Sequence, residues 1–289
     1  MTTAPLTDAA AGTFTIGGDL TVRRLGFGAM RITGNGVWGD PPDLDVATRV
    51  LRRADELGVN LIDTADSYGP EVSEGLIAEA LHPYPDDLVI ATKGGFVRPG
   101  PNEWRPDCRP AELKQACEGS LERLRLERID IYQLHTVDKS VPYEDSVGAL
   151  VELQREGKIR HIGVSNVDAR QLARAQAVAA VVTVQNMYNL SSRRNEDVLD
   201  ACARDGLGFI PWYPLATGDL ARPGSVVAEI AEAHDVPPAH VALAWLLQRA
   251  PVVLPIPGTG SVAHLDENVG AAGLRLSDDE LVSLLAAGR

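Results

Sequence analysis

The chain is short of positive charge: 27 lysines and arginines face 40 aspartates and glutamates, and the formal net charge is −13. Nucleic-acid backbones and anionic lipid surfaces are bound by clustered basic residues. The composition therefore argues against a nucleic-acid partner and against a membrane-surface partner. It still permits a small anionic ligand, because such a ligand needs only a local site.

Cysteines and long apolar runs are also scarce. The three cysteines, Cys108, Cys117 and Cys202, form no CxxC pair, which argues against a disulfide framework and against a metal site. No apolar run approaches the ~18 residues that would span a bilayer. The first residues lack the basic and apolar regions of a secretory signal. We therefore expect a cytoplasmic protein without a metal.

What the sequence does contain is a regular alternation of short apolar runs with stretches of helical periodicity. Such alternation predicts a parallel sheet covered by helices, and eight units close a (β/α)₈ TIM barrel. Barrels of this length often form one domain, so we expect a single domain over 1–289. The predicted strands are 25–30, 60–64, 88–93, 129–135, 160–165, 181–186, 208–214 and 252–257.

The segments around these strands add two expectations. Ahead of the first strand, two β-prone runs flank a pair of glycines in TFTIGGDLTVRRL, which predicts a β-hairpin that plugs the lower mouth of the barrel. Loops rich in glycine and proline (33–42, 98–110 and 217–223) follow predicted strands. In such a barrel they lie on the face where active sites are built.

Four polar residues lie at or just beyond the ends of predicted strands: Asp63, Tyr68, Lys93 and His135. Each alone could be an ordinary loop residue, but four that converge on one barrel mouth favour a catalytic site. Tyrosine has a pKa of about 10, too high for an efficient proton donor at neutral pH. A nearby lysine would lower this pKa, a carboxylate would keep the lysine charged, and a histidine could orient a carbonyl oxygen. The set predicts Tyr68 as a general acid.

These residues lie in motifs that resemble those of the aldo-keto reductase superfamily. The motifs are GVNLIDTADSYGPEVSEGLIAEAL (58–81), ATKGG (91–95), DIYQLH (130–135), GKIRHIGVSN (157–166) and VQNMYNLSSR (184–193). The resemblance implies a (β/α)₈ barrel with an N-terminal β-hairpin and a catalytic tetrad of the four residues above. It also implies NAD(P)H-dependent reduction of aldehydes or ketones to alcohols. A hydride would pass from the nicotinamide to the carbonyl carbon while Tyr68 donates the proton.

The resemblance further implies which residues hold the nicotinamide half of the cofactor. The residues that match the carboxamide contacts are Ser165, Asn166 and Gln185. Trp212 stands where the family usually has a tyrosine stacked on the nicotinamide, and an indole can also stack there. The alternative for Trp212 is a place in the barrel core. The residues that match the pyrophosphate loop are Tyr213, Leu215 and Thr217.

At the phosphate end the chain departs from the family pattern. Many relatives carry lysine and arginine in the segment that holds the adenosine phosphate, whereas this chain has Gly258 and His264. The amides and hydroxyls at the start of the following helix, which Ser261 is expected to cap, could still bind a phosphate. The residues of this cradle are Gly258, Thr259, Gly260 and Ser261, and those that match the adenine contacts are Glu267 and Asn268.

The missing charge bears on the choice of cofactor. The family pattern favours NADP(H), with NAD(H) as the second candidate. Arg222 could supply a cation from across the cofactor, in the loop over 217–223. The family default is a monomer.

The substrate pocket is expected to draw on four aromatic residues near the mouth: Trp38, Phe96, Trp104 and Tyr188. The alternative for each is packing within its own loop. Aromatic walls suit uncharged aldehydes and ketones. We therefore expect a small-molecule carbonyl substrate, with a pyridoxal-like aldehyde among the candidates.

Two other functions fit the same fold. Lys93 could be the Schiff-base lysine of a barrel aldolase, although Asp63 would keep it charged rather than nucleophilic. The chain could also be a non-catalytic nicotinamide-binding regulatory module. That role would require an exposed interaction surface or an N-terminal extension, and the segment before the predicted hairpin is only about a dozen residues long.

Overall fold

The computed structural model describes residues 6–215 and 224–287. Its strands are β1 (Thr13–Ile16), β2 (Leu20–Arg23), β3 (Phe27–Gly28), β4 (Leu61–Asp63), β5 (Val89–Gly94), β6 (Phe96–Val97), β7 (Arg105–Pro106), β8 (Ile129–Leu134), β9 (Ile159–Ser165), β10 (Val181–Met187) and β11 (Gly208–Trp212). Its α-helices are α1 (Asp8–Ala11), α2 (Leu44–Glu56), α3 (Val72–Leu81), α4 (Pro110–Leu124), α5 (Tyr143–Arg155), α6 (Ala169–Gln176), α7 (Glu196–Asp205), α8 (Val226–Ala233), α9 (Pro238–Arg249), α10 (Val262–Gly270) and α11 (Asp278–Ala287). Short 3₁₀ turns cover Ala29–Ile32 and Ala271–Gly273.

Seven parallel strands form one curled sheet in the order β3-β4-β5-β8-β9-β10-β11. Helices cover its outer face, and the apolar side chains between the two layers form the main core. This arrangement is the predicted (β/α)₈ fold. The first strand is shorter than expected, because the chain enters a 3₁₀ turn at Ala29.

The eighth predicted strand, 252–257, is not a regular strand. Pro255 and Pro257 have no N–H to donate to a neighbouring strand, so a continuous ladder cannot form here. The segment nevertheless bonds to both edges of the sheet: Phe209 N–H donates to the Val252 carbonyl at 2.8 Å, and Gly26 N–H donates to the Pro255 carbonyl at 2.9 Å. These bonds close the barrel.

Glycine is required where this closing segment meets β3. A methyl group on Gly28 would lie 2.6 Å from the Ile256 carbonyl oxygen, and one on Gly258 would lie 2.5 Å from the Gly28 carbonyl oxygen. Real side chains do not approach backbone oxygens so closely. The two glycines therefore let the first strand and the closing segment pack directly against each other.

The predicted hairpin is formed by β1 and β2, which pair antiparallel from Thr13 opposite Arg23 to Ile16 opposite Leu20. Its turn uses Gly17 and Gly18 at positive φ (63° and 85°). Ile16, Leu20 and Val22 pack with apolar side chains from the interior of the barrel. The hairpin thus occupies the end of the barrel where the strands begin, and leaves the other mouth open.

The outer helix α2 has recognisable signals at both of its ends. In α2, Asp43 caps the first turn by accepting a hydrogen bond from Val46 N–H at 2.9 Å, and Gly58 follows the helix at φ 77°. None of the helices in the two described ranges has the length and apolar character needed to cross a membrane.

Candidate active site

The four predicted catalytic residues come from three strand ends and one loop. Asp63 ends β4, Lys93 lies near the end of β5, and His135 follows β8 directly. Tyr68 lies in the loop between β4 and α3. Parallel strands end at the same mouth of the barrel, so the topology alone brings these residues together.

Lys93 is the hub of the cluster. Its Nζ donates to Asp63 Oδ1 at 2.6 Å, to the Thr64 carbonyl at 2.7 Å and to Tyr68 Oη at 3.4 Å. These contacts use the three N–H donors of an ammonium group. Lys93 is fully buried, and a buried charge of this kind is tolerated only when it is paired and hydrogen-bonded. The geometry therefore fixes one arrangement of Lys93, Asp63 and Tyr68.

The second carboxylate oxygen of Asp63 is also occupied. Gln185 Nε2 donates to Oδ2 at 2.7 Å, and Gln133 Nε2 donates to it at 3.2 Å. Gln133 was not among the sequence candidates. It lies two residues before His135 in β8, so the alternation of a strand already indicated that both face the barrel interior.

The charge state of the lysine follows from its partners. Burial alone would lower the pKa of Lys93, but the Asp63 carboxylate and Tyr68 together raise it above the usual value. Lys93 therefore remains an ammonium ion at neutral pH.

Tyr68 behaves differently from the sequence-based expectation. Burial raises the pKa of Tyr68, and the Lys93 cation opposes that rise without reversing it. The predicted net lowering of this pKa is therefore wrong for this structure, because removal of the hydroxyl from water outweighs the nearby charge. Tyr68 is a neutral phenol at physiological pH and carries the proton that a general acid needs.

His135 completes the mouth. Burial, together with the Lys93 charge, lowers the pKa of His135 well below its usual value, so the ring is neutral. Its Nδ1 lies 3.4 Å from Ser67 Oγ, and its ring meets the Tyr68 ring edge-on, with centroids 5.9 Å apart. A neutral imidazole beside a phenol can donate a hydrogen bond to a substrate oxygen.

The three residues predicted to bind the carboxamide are joined next to this cluster. Ser165 Oγ donates to the Gln185 carbonyl at 2.8 Å, and Asn166 Nδ2 donates to Ser165 Oγ at 3.1 Å and to the His135 carbonyl at 3.0 Å. Trp212 Nε1 donates to Asn166 Oδ1 at 3.0 Å. This chain of bonds fixes one edge of the indole at the wall of the cleft, and Trp212 is not a core residue.

The open mouth of the barrel contains a cleft of about 510 Å³. Its described lining contains catalytic candidates (Asp63, Tyr68, His135), nicotinamide-side candidates (Ser165, Asn166, Gln185, Trp212, Tyr213, Leu215), Gly258 and two aromatic residues of the predicted substrate wall, Phe96 and Trp104. A cavity of this size falls within the range of small-molecule sites.

Two of the predicted substrate-wall residues lie elsewhere. Tyr188 is fully buried between the sheet and the helices, stacked on Trp245 at 5.7 Å, and its Oη donates to Glu196 at 2.8 Å. It follows β10 with its side chain directed away from the cleft, so its assignment to the pocket was wrong. Trp38 is 36% exposed in the loop after β3, near Arg98, and does not line the cleft.

The predicted phosphate cradle lies where the cleft meets α10. Thr259 Oγ1 accepts a hydrogen bond from Ser261 N–H at 3.0 Å, and Ser261 caps α10 as expected. His264 is exposed in the first turn of that helix. Further along α10, Glu267 is exposed whereas Asn268 is buried. The first-turn amides of a helix have no partners within the helix, so this end can accept an anion.

The loop opposite the cradle is described only in part. Tyr213 is 41% exposed at φ 58°, and Leu215 lines the cleft. Gly260 lies close to the 3₁₀ turn after β3, since a methyl group there would be 3.1 Å from the Arg31 carbonyl oxygen. Thr217 and Arg222 lie outside the described residues, so the structure says nothing about their predicted roles.

Arg31 was missing from the sequence candidates. It is exposed, lines the cleft, and its Cγ would lie 3.7 Å from a methyl group placed on Gly258. Among the described lining residues it is the one with a permanent positive charge. Its position just after a barrel strand was the available signal.

Within the described residues, no three His, Cys, Asp or Glu side chains are grouped to hold a metal ion.

The chain is similar to known proteins over most of its length. The model of the Aldo/keto reductase family matches residues 24–287. An uncharacterized oxidoreductase of Schizosaccharomyces pombe is 49% identical over 279 residues, which cover 96% of this chain and 90% of that protein. Pyridoxine 4-dehydrogenase of Escherichia coli is 45% identical over 281 residues, which cover 95% of this chain and 98% of that protein.

Solved structures agree with this assignment. A glycerol dehydrogenase from Gluconobacter oxydans aligns with a TM-score of 0.85 at 28% identity, over 96% of this chain and 94% of that one. An aldo-keto reductase from Klebsiella pneumoniae in complex with NADPH aligns with a TM-score of 0.81 at 31% identity, over 94% of this chain and 93% of that one. The chain is therefore an oxidoreductase that belongs to the aldo/keto reductase family.

Proposed function

We propose that the protein reduces aldehydes or ketones to alcohols with NADPH, and that Tyr68 donates the proton. The observation that carries this proposal is the position of Tyr68 Oη, which lies 3.4 Å from a buried ammonium ion at the wall of the cleft. Asp63 holds that ammonium in place at 2.6 Å. A protonated phenol beside a fixed cation is suited to protonate an oxygen that gains negative charge.

The residues along the cleft fit a nicotinamide dinucleotide. The indole of Trp212, with one edge fixed by Asn166, lines the cleft near the tetrad. The N-terminal amides of α10 lie at the other end of the cleft, beyond Gly258. Ser165, Asn166 and Gln185 would hold the carboxamide. A reduced nicotinamide bound here would supply the hydride.

The protein's own residues would do the rest of the chemistry. His135, neutral and fixed beside Tyr68, orients the carbonyl oxygen by donating a hydrogen bond. Tyr68 transfers its proton to that oxygen as the carbonyl carbon accepts the hydride, and the product is the alcohol. Lys93 stabilises the phenolate that remains on Tyr68, and Asp63 keeps Lys93 charged.

NADPH is the proposed cofactor because the Arg31 cation and the helix N-terminal amides both lie at the proposed phosphate end. The relative from Klebsiella pneumoniae was solved with NADPH. In this chain Arg31 lies beside Gly258, and His264 lies in the first turn of α10. We assign to Arg31 the role of a cation for a cofactor phosphate, which relatives fill with lysine and arginine in the segment 255–268. NAD(H) would bind at the same site with fewer contacts.

The proposed substrate is a small, flat and uncharged carbonyl compound. Phe96 and Trp104 meet edge-to-face with centroids 5.6 Å apart, and both line the cleft beside Tyr68 and His135. One relative at 45% identity is a pyridoxine 4-dehydrogenase. A pyridoxal-like aldehyde is therefore consistent with the aromatic side chains of the cleft and with the similarity to this relative.

Two rival functions predict different results. A Schiff-base aldolase needs an unprotonated Lys93, whereas the three donors of Lys93 are bonded to Asp63, Thr64 and Tyr68. Borohydride trapping with a carbonyl compound would label Lys93 only if the protein were such an aldolase. A non-catalytic module would bind NADPH and oxidise none with any aldehyde in a broad panel.

The direct test is Tyr68→Phe, which removes the proposed proton and little else. We expect NADPH-dependent reduction to fall by about 10³-fold, the usual scale for loss of a general acid. The dissociation constant for NADPH, measured by fluorescence titration, should not change. Tyr143→Phe is the matched control, because the buried Tyr143 hydroxyl has no hydrogen-bond partner and lies outside the cleft. Retained turnover in Tyr68→Phe would refute the proton-donor assignment.

A further inference from the structure

Arg98, like Arg24 and Arg275, donates hydrogen bonds to backbone carbonyls, but it uses every donor of its guanidinium in this way. All five of its N–H donors point to backbone carbonyls and none to a carboxylate, unlike the arginines of the ion pairs elsewhere in the described structure. The acceptors are Glu103 (2.7 Å from Nε), Val37 and Ser67 (2.8 and 2.7 Å from one terminal nitrogen), and Gly36 and Gly100 (3.0 and 3.4 Å from the other).

These carbonyls belong to three separate loops at the open mouth of the barrel. Gly36 and Val37 lie in the loop after β3, and Ser67 directly precedes Tyr68 in the loop after β4. Gly100 and Glu103 lie in Arg98's own loop, between β6 and β7. A single guanidinium therefore ties the loop of the proposed proton donor to two neighbours.

The face of the guanidinium packs on an aromatic residue of the cleft. The central carbon of Arg98 lies 3.8 Å from the centroid of the Trp104 ring, a direct cation–π stack. Trp104 in turn meets Tyr68 edge-on at 6.2 Å and His135 at 6.3 Å. The indole thus contacts Arg98 and also lies next to two proposed catalytic residues.

We propose that Arg98 is a positioning residue that fixes Trp104 as the substrate wall beside Tyr68 and His135, and so sets a preference for flat, uncharged carbonyl substrates. Because its five donors are committed to carbonyls, the guanidinium has none left for a carboxylate or phosphate on the substrate. This inference rests on the proposed reductase function. It adds a residue that contacts neither the nicotinamide site nor the tetrad side chains.

The first experiment compares Arg98→Met and Arg98→Lys with the wild type. Pyridine-4-carboxaldehyde serves as the flat substrate and butanal as the aliphatic one. We expect Arg98→Met to raise KM for the flat aldehyde by about 10-fold, the scale of a lost stacking and positioning contact, with kcat changed by less than about 3-fold. KM for butanal and the dissociation constant for NADPH should stay near wild type.

Two variants serve as references. Arg98→Lys should resemble Arg98→Met, since an ammonium has three donors and no planar face to stack on an indole. Arg98→Lys is the milder substitution and keeps the test usable if Arg98→Met misfolds. Circular dichroism would reveal such misfolding. Arg105→Met removes an exposed arginine next to Trp104 and should behave as wild type. Equal losses for both aldehydes, or weaker NADPH binding, would overturn the inference.

A double-mutant cycle tests whether Arg98 acts through Trp104. If it does, the double variant Arg98→Met/Trp104→Leu loses no more kcat/KM for the flat aldehyde than Trp104→Leu alone. Additive losses would show that Arg98 acts independently of Trp104 and would contradict the proposal.

A binding measurement separates this inference from the proposed function. Calorimetric titration of the NADP⁺ complex with pyridine-4-carboxaldehyde needs no turnover, and Arg98→Met should weaken the affinity by about 10-fold. If the wild type binds the aldehyde, the variant binds it more weakly and neither oxidises NADPH, the reductase proposal fails while the positioning role stands. If the wild type turns over and Arg98→Met binds the aldehyde with unchanged affinity, the positioning role alone fails.

Discussion

The two ends of the cleft are built in different ways. At the tetrad end, buried polar side chains are bonded to one another, with Lys93, Asp63 and Tyr68 fixed by distances between 2.6 and 3.4 Å. At the proposed phosphate end, the groups available to a ligand are backbone amides of α10 and the exposed Arg31. The tetrad end is therefore preorganised without a ligand, whereas the donors of the phosphate end are exposed to solvent.

This difference suggests that one end of the cleft serves the proton transfer and the other serves cofactor binding. A proton donor must keep one protonation state and one position, which burial and a fixed cation provide. A phosphate needs donors and positive charge, and exposed groups can provide both. Substitutions at the tetrad end should therefore change catalysis and stability, and substitutions at the phosphate end should change binding.

The largest effect is expected for Lys93→Met, which disrupts the tetrad end. The Asp63 carboxylate would stay buried without its cation, so we expect unfolding in urea to require about 3–5 kcal/mol less free energy. Turnover should fall by about 10³-fold, since Tyr68 loses the charge that stabilises its phenolate.

The control for Lys93→Met is the double variant Lys93→Met/Asp63→Asn. It removes the buried charge as well, so it should regain much of the stability while its turnover remains lost. Recovery of turnover in this double variant would show that the ion pair has no role in the reaction.

A smaller effect is expected for Arg31→Ala at the phosphate end. NADPH should bind about 10-fold more weakly, the scale of one charge-assisted hydrogen bond, while kcat at saturating NADPH stays close to wild type. A loss confined to NADPH places Arg31 at the adenosine phosphate, and an equal loss for NADH places it at the pyrophosphate. Arg49→Ala, an exposed arginine on α2, is the control. Unchanged affinity for both cofactors would remove Arg31 from the site.

The smallest effect concerns His135 and pH. Burial and the Lys93 charge lower the pKa of His135 in the folded protein. Below about pH 6.5, His135 is protonated in the unfolded chain but stays neutral in the folded chain. The free energy of unfolding therefore has its full His135 contribution at higher pH and loses it as the pH falls. The loss amounts to at most about 1.4 kcal/mol per pH unit.

His135→Gln should therefore lose less stability than the wild type between about pH 7 and pH 5. Denaturant unfolding at both pH values measures this difference, with His82→Gln as a control at an exposed histidine. Identical slopes for wild type and His135→Gln would mean that His135 is not held neutral by the fold.

The same contrast explains what the sequence could predict. Asp63, Lys93 and His135 stand at the ends of apolar runs, so the barrel topology predicted that they would meet. Seven strands and the hairpin followed from alternation and from paired glycines. The closing segment was misjudged because its prolines prevent a ladder while its carbonyls still accept hydrogen bonds from both sheet edges.

Other features depend on tertiary contacts that no local pattern encodes. Arg31 lies in the 3₁₀ turn after β3, close to Gly258, and Arg98 reaches carbonyls of two other loops, so both depend on residues distant in sequence. Tyr188 follows the same strand as Gln185 but faces the helices rather than the cleft. The pKa of Tyr68 depends on burial, which a strand-end position does not reveal.

The most direct test of the account measures NADPH affinity and turnover together in Tyr68→Phe and Arg31→Ala. We predict that Tyr68→Phe binds NADPH as tightly as the wild type but reduces no aldehyde at a comparable rate. Arg31→Ala should show the reverse, with weaker NADPH binding and near-normal kcat at saturation. Retained turnover in Tyr68→Phe, or a loss of kcat with normal NADPH binding in Arg31→Ala, would contradict these roles.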